Sequence, residues 1–132
     1  MEDRYLFKAK FDDSDRWVKG QLVEVNDTYL IIPNHASKIL AGWFSTSNII
    51  EVKKDTICQC TGLKDKNGKL IWENDVVKIN NSKVNTLITF RDFEIICTIP
   101  NEKYYKHRLE YDTEYEVVGN IFDNPELLES EG

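Results

Sequence analysis

Short apolar runs separated by polar turn residues dominate the pattern of this 132-residue chain. The runs are rich in β-branched and aromatic side chains, which favour strands, and the intervals contain Asp, Asn, Ser, Pro or Gly, which favour turns. The pattern therefore predicts a mainly β fold, a small antiparallel β-barrel or sandwich of short strands. The predicted strands contain residues 5–7, 17–18, 22–25, 29–32, 48–52, 57–61, 75–79, 86–90, 95–99 and 115–118.

Helices are expected to be few and short. The clearest helix start is at residues 123–126, where a capping Asp123 or Asn124 precedes Pro125 at the first helical position and Glu126 in the first turn. This pattern predicts a short C-terminal helix. Residues 36–41 are compatible with one or two helical turns, and residues 103–111 with either helix or strand.

The composition is that of a folded, soluble protein, because 41% of the residues are hydrophobic and 11% are aromatic. The length predicts a single domain over residues 1–132. No apolar run approaches the ~20 residues of a transmembrane helix, and the N-terminal residues lack the apolar run of a signal peptide. We therefore expect a cytoplasmic protein that does not contact a membrane.

Charge is segregated along the chain. The formal net charge is −6, but residues 109–132 hold eight acidic side chains and no lysine or arginine. Residues 1–108 hold the other 15 acids and all 17 bases, a net charge of +2. We therefore distinguish a β-rich body, residues 1–108, from an acidic C-terminal segment, residues 109–132. This segment is either solvated surface or a cover for a basic patch on its own body or on a neighbouring subunit.

The three cysteines are sparse and odd in number, unlike a disulfide framework. Cys58 and Cys60 share one face of a predicted strand and could bind a metal ion together with Cys97 and either His35 or His107. However, structural zinc sites use a different spacing of cysteines, and Cys97 lies in an apolar alternation typical of a core strand. We therefore expect buried thiols, with no metal ion and no other cofactor.

The most distinctive segment is residues 61–77, TGLKDKNGKLIWENDVV. Asn67-Gly68 between two extended segments predicts a hairpin with a type I′ turn, because both residues tolerate a positive φ. Asn74 is a second candidate for a left-handed backbone, directly before a predicted strand. Three lysines around the hairpin could contact phosphates or a carboxylate-rich partner: Lys64, Lys66 and Lys69.

These residues resemble the YopX family, small proteins encoded by phages and prophages of Gram-positive bacteria. The core pattern of that family reads approximately T-G-L-K-D-K-N-G-K-x-I-[YF]-E-G-D-I-V. Residues 116–128, EVVGNIFDNPELL, resemble its ending, E-V-I-G-N-I-[YF]-E-N-P-E-L-L, and residues 4–10, 17–20 and 31–33 fit its looser opening. Asn74 stands where the family usually has glycine, and the family fills the positions of Cys58 and Cys60 with other residues, which argues against a metal site.

The resemblance implies a β-rich fold, a phage or prophage setting in a bacterial host cell, and self-association. It implies no catalytic residues, because the family has no established activity. Its motif residues set turns, a hairpin and a helix start, as a fold signature does. We assign this architectural role to Gly62, Asp65, Asn67, Gly68, Trp72, Asp75, Gly119, Asn124 and Pro125.

We expect no enzymatic activity. Asp65, Glu73 and Asp75 are the nearest set of carboxylates, but nothing in the sequence brings them together in a cleft. The two histidines have no serine or cysteine in a recognisable nucleophile motif, and the chain has no glycine-rich phosphate loop.

The favoured function is a self-associating protein-interaction module, in which the acidic C-terminal segment pairs with the lysine-rich hairpin of a second copy. An unidentified phage or host protein is a further expected partner. The candidate interaction residues are Lys64, Lys66, Lys69, Glu126 and Glu129.

The alternative function is a small-barrel nucleic-acid-binding accessory protein. Residues 53–83 hold seven lysines against four acids, and Trp43 and Trp72 could stack on bases. The overall acidity argues against this function, and Trp17, Trp43 and Trp72 are expected to be core or interface residues.

Overall fold

Antiparallel β-strands make up most of the part of the chain that the structure describes. The computed structural model describes residues 6–33, 49–91, 94–99, 107–108 and 113–128. These ranges contain two short 3-10 turns, Lys54–Thr56 and Pro125–Leu128, and no α-helix. The strands are β1 (Phe7–Lys10), β2 (Trp17–Val25), β3 (Thr28–Pro33), β4 (Ile50–Glu51), β5 (Cys58–Lys64), β6 (Leu70–Trp72), β7 (Asp75–Ile79), β8 (Thr86–Arg91), β9 (Glu94–Thr98), β10 (His107–Arg108) and β11 (Tyr115–Asn120).

The strands form two sheets, which confirms the predicted mainly β class. One sheet has the order β4-β3-β2-β1-β5-β6 and the other the order β10-β9-β8-β7-β11. Each order ends in two different edge strands and does not return to its first strand. Of the two predicted alternatives, a barrel or a sandwich, the closed barrel is therefore wrong, because strand patterns in a sequence predict which segments are extended but not which segments pair.

The chain divides into two compact units, residues 1–60 and 61–132, with the boundary inside β5. The prediction of one domain over residues 1–132 stays a prediction. The acidic segment that begins at residue 109 contributes a strand to the second unit, because β11 pairs with β7.

A long hairpin, β2 with β3, is the largest element of the first unit. The sequence predicted strand residues at 17–18 together with 22–25, and in the structure these belong to one continuous strand, in which Lys19 and Gln21 are exposed. Val25 pairs with Thr28 across a two-residue turn in which Asn26 and Asp27 both have positive φ, 50° and 65°. This is the backbone that a type I′ turn requires. The core of the unit is formed by Ala9, Val18, Ile31 and Val52.

The core of the second unit contains one residue from each of five strands: Ile71, Val77, Ile88, Cys97 and Tyr115. All three cysteines are buried and free of disulfides, as expected for core thiols. Burial raises the pKa of the Cys97 thiol to about 12, so this thiol is protonated at neutral pH. Within the described ranges, no group of three His, Cys, Asp or Glu residues is arranged to hold a metal ion.

The predicted C-terminal helix is a 3-10 turn over Pro125–Leu128. The backbone N–H of Leu127 donates to the carbonyl of Asn124, an i to i−3 bond. A single turn is consistent with the cost of nucleating an α-helix, and short helical pieces often adopt the 3-10 form.

Residues 36–41 lie outside the described residues, and the ambiguous segment 103–111 contains β10. In the described part of the chain, no helix has the length and hydropathy needed to cross a membrane.

Candidate functional site

The lysine-rich hairpin consists of β5, the turn residues 65–69 and β6. Its turn differs from the predicted type I′ turn, because only Gly68 has a positive φ, +81°, among the turn residues. The N–H of Gly68 donates to the carbonyl of Asp65 at 3.0 Å, and the N–H of Asp65 donates to the carbonyl of Lys69 at 2.7 Å. This is the pattern of a three-residue hairpin loop, in which a β-turn is followed by a left-handed residue. Gly62, with a φ of 82° inside β5, is the second glycine in a left-handed backbone.

The carboxylate of Asp65 holds this hairpin in place. Its Oδ1 accepts the backbone N–H groups of Asn67 and Lys69, both at 2.9 Å, and its Oδ2 accepts the N–H of Val117 in β11 at 3.0 Å. The N–H of Lys66 donates to the carbonyl of Tyr115 at 2.8 Å. The hairpin therefore covers the side of β11 that faces away from β7, and it connects the two segments that carry the family resemblance.

The electrostatics of Asp65 follow from these contacts. Burial by itself raises the pKa of this carboxyl group, because it disfavours the charged form. The backbone N–H groups of Val117, Lys69 and Asn67, together with the charge of Lys69, outweigh burial and lower the pKa below its ordinary value. Asp65 is therefore an ionised acceptor at neutral pH.

The turn between β6 and β7 is fixed by a second buried carboxylate. Asp75, 3% exposed, accepts the backbone N–H of Trp72 at 2.8 Å. Asn74 has a φ of 71°, which confirms the predicted left-handed position. The N–H of Asn74 donates to the carbonyl of Ile88, and its own carbonyl accepts the N–H of Ile121. The turn thus contacts both β8 and the chain that follows β11.

The second motif segment is held by asparagine side chains. Asn120 Oδ1 accepts the N–H groups of Phe122 and Asp123, both at 2.9 Å, and Asn124 Oδ1 accepts the N–H of Asn120 at 3.3 Å. A Cβ at Gly119 would lie 2.6 Å from Asn124 Oδ1, so a larger residue there would displace the side chain that accepts the N–H of Asn120. Pro125 begins the 3-10 turn. These contacts are architectural, and the carboxylates of Asp65 and Asp75 are both occupied by backbone donors.

The predicted interaction residues lie on the surface wherever the structure describes them. Lys64, Lys66 and Lys69 are exposed on the hairpin, and Glu126 is exposed on the 3-10 turn. Lys66 Nζ lies 3.8 Å from Glu116 Oε1, so one hairpin lysine already pairs with an acid of the C-terminal segment. Several predicted positions lie outside the described residues: Glu129, His35 and Trp43.

The tryptophans have two different environments. Trp72 is 3% exposed and is a core residue, as predicted, so it cannot stack on a base. Trp17 in β2 is only partly buried, and its ring lies close to two lysine ammonium groups. We name its surroundings the Trp17 cluster, which consists of Lys8, Lys10, Asp15, Trp17 and Lys53.

The Trp17 cluster was not predicted from the sequence. The signal was the alternation Lys8-x-Lys10 in one strand and Trp17-x-Lys19 in the next, since residues two apart share a face of a strand. The register that places Lys10 opposite Trp17 depends on strand pairing, which the alternation alone does not reveal.

Comparison with known proteins agrees with these observations. The family model described as YopX protein matches residues 6–129, which include both motif segments and the residues between them. No curated protein matches the chain. Because the match extends over nearly all of the sequence, this chain belongs to the YopX family.

Proposed function

We propose that this protein is a non-enzymatic protein-interaction module that self-associates through complementary charge, in the cytoplasm of a bacterium that carries the phage or prophage. The observation that supports the proposal best is the pair of exposed lysines, Lys64 and Lys69, on a hairpin whose backbone Asp65 holds in place. The motif residues support the non-enzymatic part, because their carboxylates bind backbone N–H groups.

A fixed hairpin is suited to binding because its backbone loses little freedom when a partner docks. The three bonds to Asp65 orient the turn, and the bond from Lys66 to Tyr115 attaches it to β11. Only the lysine side chains then need to be ordered on binding. This arrangement favours a charged contact of defined geometry, because the hairpin backbone is already ordered before a partner binds.

The complementary surface is the acidic C-terminal segment of a second copy. Lys66 pairs with Glu116 of its own chain, and neither Lys64 nor Lys69 forms an ion pair within the described part of the chain. Glu126 is exposed and belongs to the same acidic segment. We therefore propose contacts from Lys64 and Lys69 of one copy to Glu126 and its acidic neighbours in the other.

The alternative function, nucleic-acid binding by residues 53–83, needed an aromatic stacking surface at the hairpin. Burial of Trp72 removes that surface from the described residues of this segment. Charge-based contact with a protein partner is therefore the better interpretation of the hairpin.

The test measures molar mass by light scattering at low and high salt. We expect the wild-type protein to form an oligomer at low salt that dissociates as salt screens the charges. The double variant Lys64→Glu/Lys69→Glu should lose the oligomer at low salt, and adding Glu126→Lys to it should restore part of the mass. Lys83→Glu, which changes the charge of an exposed lysine outside the hairpin, is the matched control and should behave as wild type. A mass that is independent of both salt and hairpin charge contradicts the proposal.

A further inference from the structure

We propose that the Trp17 cluster is a binding site for single-stranded nucleic acid, in which a base stacks on Trp17 and phosphates contact the surrounding lysines. This site lies in the first unit, whereas the hairpin lysines Lys64, Lys66 and Lys69 lie in the second unit. It would give the protein a second binding activity, independent of self-association.

The pairing of β1 with β2 creates the site. Lys10 lies opposite Trp17, and Lys8 lies opposite Lys19, so all four side chains belong to one face of the sheet. Lys8 and Lys10 are about 6.6 Å apart along the strand, since each residue of a strand advances about 3.3 Å. Such a row of cations can follow successive phosphates of an extended strand.

The aromatic part of the site is already surrounded by cations. The ammonium nitrogen of Lys8 lies 4.7 Å from the centroid of the Trp17 ring, and that of Lys10 lies 5.4 Å from it. Both distances are within cation–π range, for which tryptophan is the best aromatic partner. A base that stacks on Trp17 must take the place of an ammonium group over the ring, so binding requires Lys8 or Lys10 to move off the ring face. A partly exposed tryptophan next to lysines is the combination that proteins use to bind single strands, because every base can stack on an indole ring.

The carboxylate of Asp15 lies between two lysines, at the position where we expect a phosphate to bind. Asp15 Oδ1 lies 3.8 Å from Lys10 Nζ and 3.7 Å from Lys53 Nζ, longer than the ~2.8 Å of a direct charge-assisted hydrogen bond. The Asp15 side chain is 87% exposed, whereas that of Lys10 is 8% exposed. An exposed carboxylate at this distance is a weak partner of the two ammonium groups, so a phosphate can compete with it, above all at Lys53, whose side chain is 41% exposed. We therefore infer that Asp15 competes with the ligand.

The other charges around the site determine how strong binding can be. Lys19 is exposed on the same face and adds to the attraction, whereas Asp12 and Asp13 are exposed in the adjacent turn and oppose it. We therefore expect binding at low salt that weakens steeply as salt rises.

The test is an anisotropy titration of a labelled oligo-dT of about 12 nucleotides, within the range of one small binding domain, at low salt. Lys8→Ala and Lys53→Gln should each weaken binding several-fold, and Trp17→Leu should weaken it by about tenfold or more. Asp15→Asn should strengthen binding several-fold. Asp13→Asn removes the same charge from the same turn and should have a clearly smaller effect.

The controls separate this site from general charge effects and from unfolding. Thermal unfolding of each variant shows whether it folds. If Trp17→Leu fails to fold, Lys53→Gln still tests the site, because it changes a half-exposed lysine. Lys64→Glu/Lys69→Glu should leave affinity for oligo-dT within about twofold, because those lysines belong to the other unit. Absence of oligo-dT binding at low salt would overturn the proposal. Equal effects of Asp15→Asn and Asp13→Asn, or equal binding of a polyglutamate peptide, would overturn it as well.

Discussion

Asp65 shows how much a single side chain contributes to this fold. Its carboxylate is 7% exposed and accepts backbone N–H groups from Asn67, Lys69 and Val117. Asp65→Ala leaves these donors without a partner, so we expect the free energy of unfolding to fall by about 3 kcal/mol, measured by urea denaturation. Asp13→Ala, at an exposed turn position, is the matched control and should change it by less than about 0.5 kcal/mol. Equal losses in both variants would contradict the anchoring role.

The same residue predicts how stability depends on pH. The pKa of Asp65 is lower in the folded protein than in the unfolded chain, where an aspartate titrates near 3.9. The stabilisation from its ionised form is therefore fully present above about pH 4 and is lost as pH falls through the folded pKa. We expect the difference in unfolding free energy between wild type and Asp65→Asn to narrow below about pH 4. A difference that is unchanged from neutral to strongly acidic pH would contradict this prediction.

Residue-scale predictions from the sequence succeeded where the cause is local. Asn74 takes the expected left-handed backbone because asparagine tolerates that conformation in any context. The role of Asp65 depends on a donor 52 residues away, so no local pattern could predict the partner of its Oδ2. The type I′ turn predicted at Asn67-Gly68 was wrong although its cause is local, because the Asp65 carboxylate accepts the N–H groups of Asn67 and Lys69 and so stabilises a three-residue loop.

At the scale of elements, Gly20 determines how closely β2 and β3 approach. A Cβ at this position would overlap the carbonyl oxygen of Ile32 and lie 2.9 Å from the Cα of Pro33, both backbone atoms of β3. Gly20→Ala must therefore displace a strand, and we expect a loss of about 3 kcal/mol in unfolding free energy. Gly68→Ala has open space but a φ of +81°, so it should lose only about 1 kcal/mol. Thermal unfolding of both variants measures the two losses in stability. A loss in Gly20→Ala that is no larger than the loss in Gly68→Ala would contradict the prediction and show that β3 can move at little cost.

Strands were predicted correctly from the sequence where they are long enough to show a pattern of residue types. Residues 75–79 form β7 as predicted, because Asp75-Val76-Val77-Lys78-Ile79 combines β-branched residues with a clear turn before it. The strand β10 is too short to show the alternation of apolar and polar residues by which a strand is predicted. The C-terminal cap pattern was recognised, but one turn of chain cannot offset the cost of helix nucleation. Strand partners and sheet order were beyond prediction, since they depend on contacts distant in sequence.

At the scale of the whole molecule, the three buried thiols report on global unfolding. Cys58, Cys60 and Cys97 are each at most 1% exposed, and the Cys97 thiol is protonated at neutral pH. We expect a disulfide reagent to modify the native protein at least about 100-fold more slowly than the urea-unfolded chain, because access requires opening of the core. Ser82→Cys places a thiol at an exposed loop position and should react with the native protein at once. Fast reaction of a native cysteine in wild type would contradict the burial of these strands.

The position of β11 has a consequence for the synthesis of the chain. β7 pairs with a strand that begins at residue 115, so its free edge leaves the ribosome well before its partner does. At about 5–20 residues per second, this delay amounts to several seconds, during which β7 presents unpaired backbone groups. The hairpin turn likewise leaves the ribosome before Val117 can donate to Asp65. Chains truncated before residue 115 should therefore aggregate, because they lack the strand that covers the exposed edge of β7.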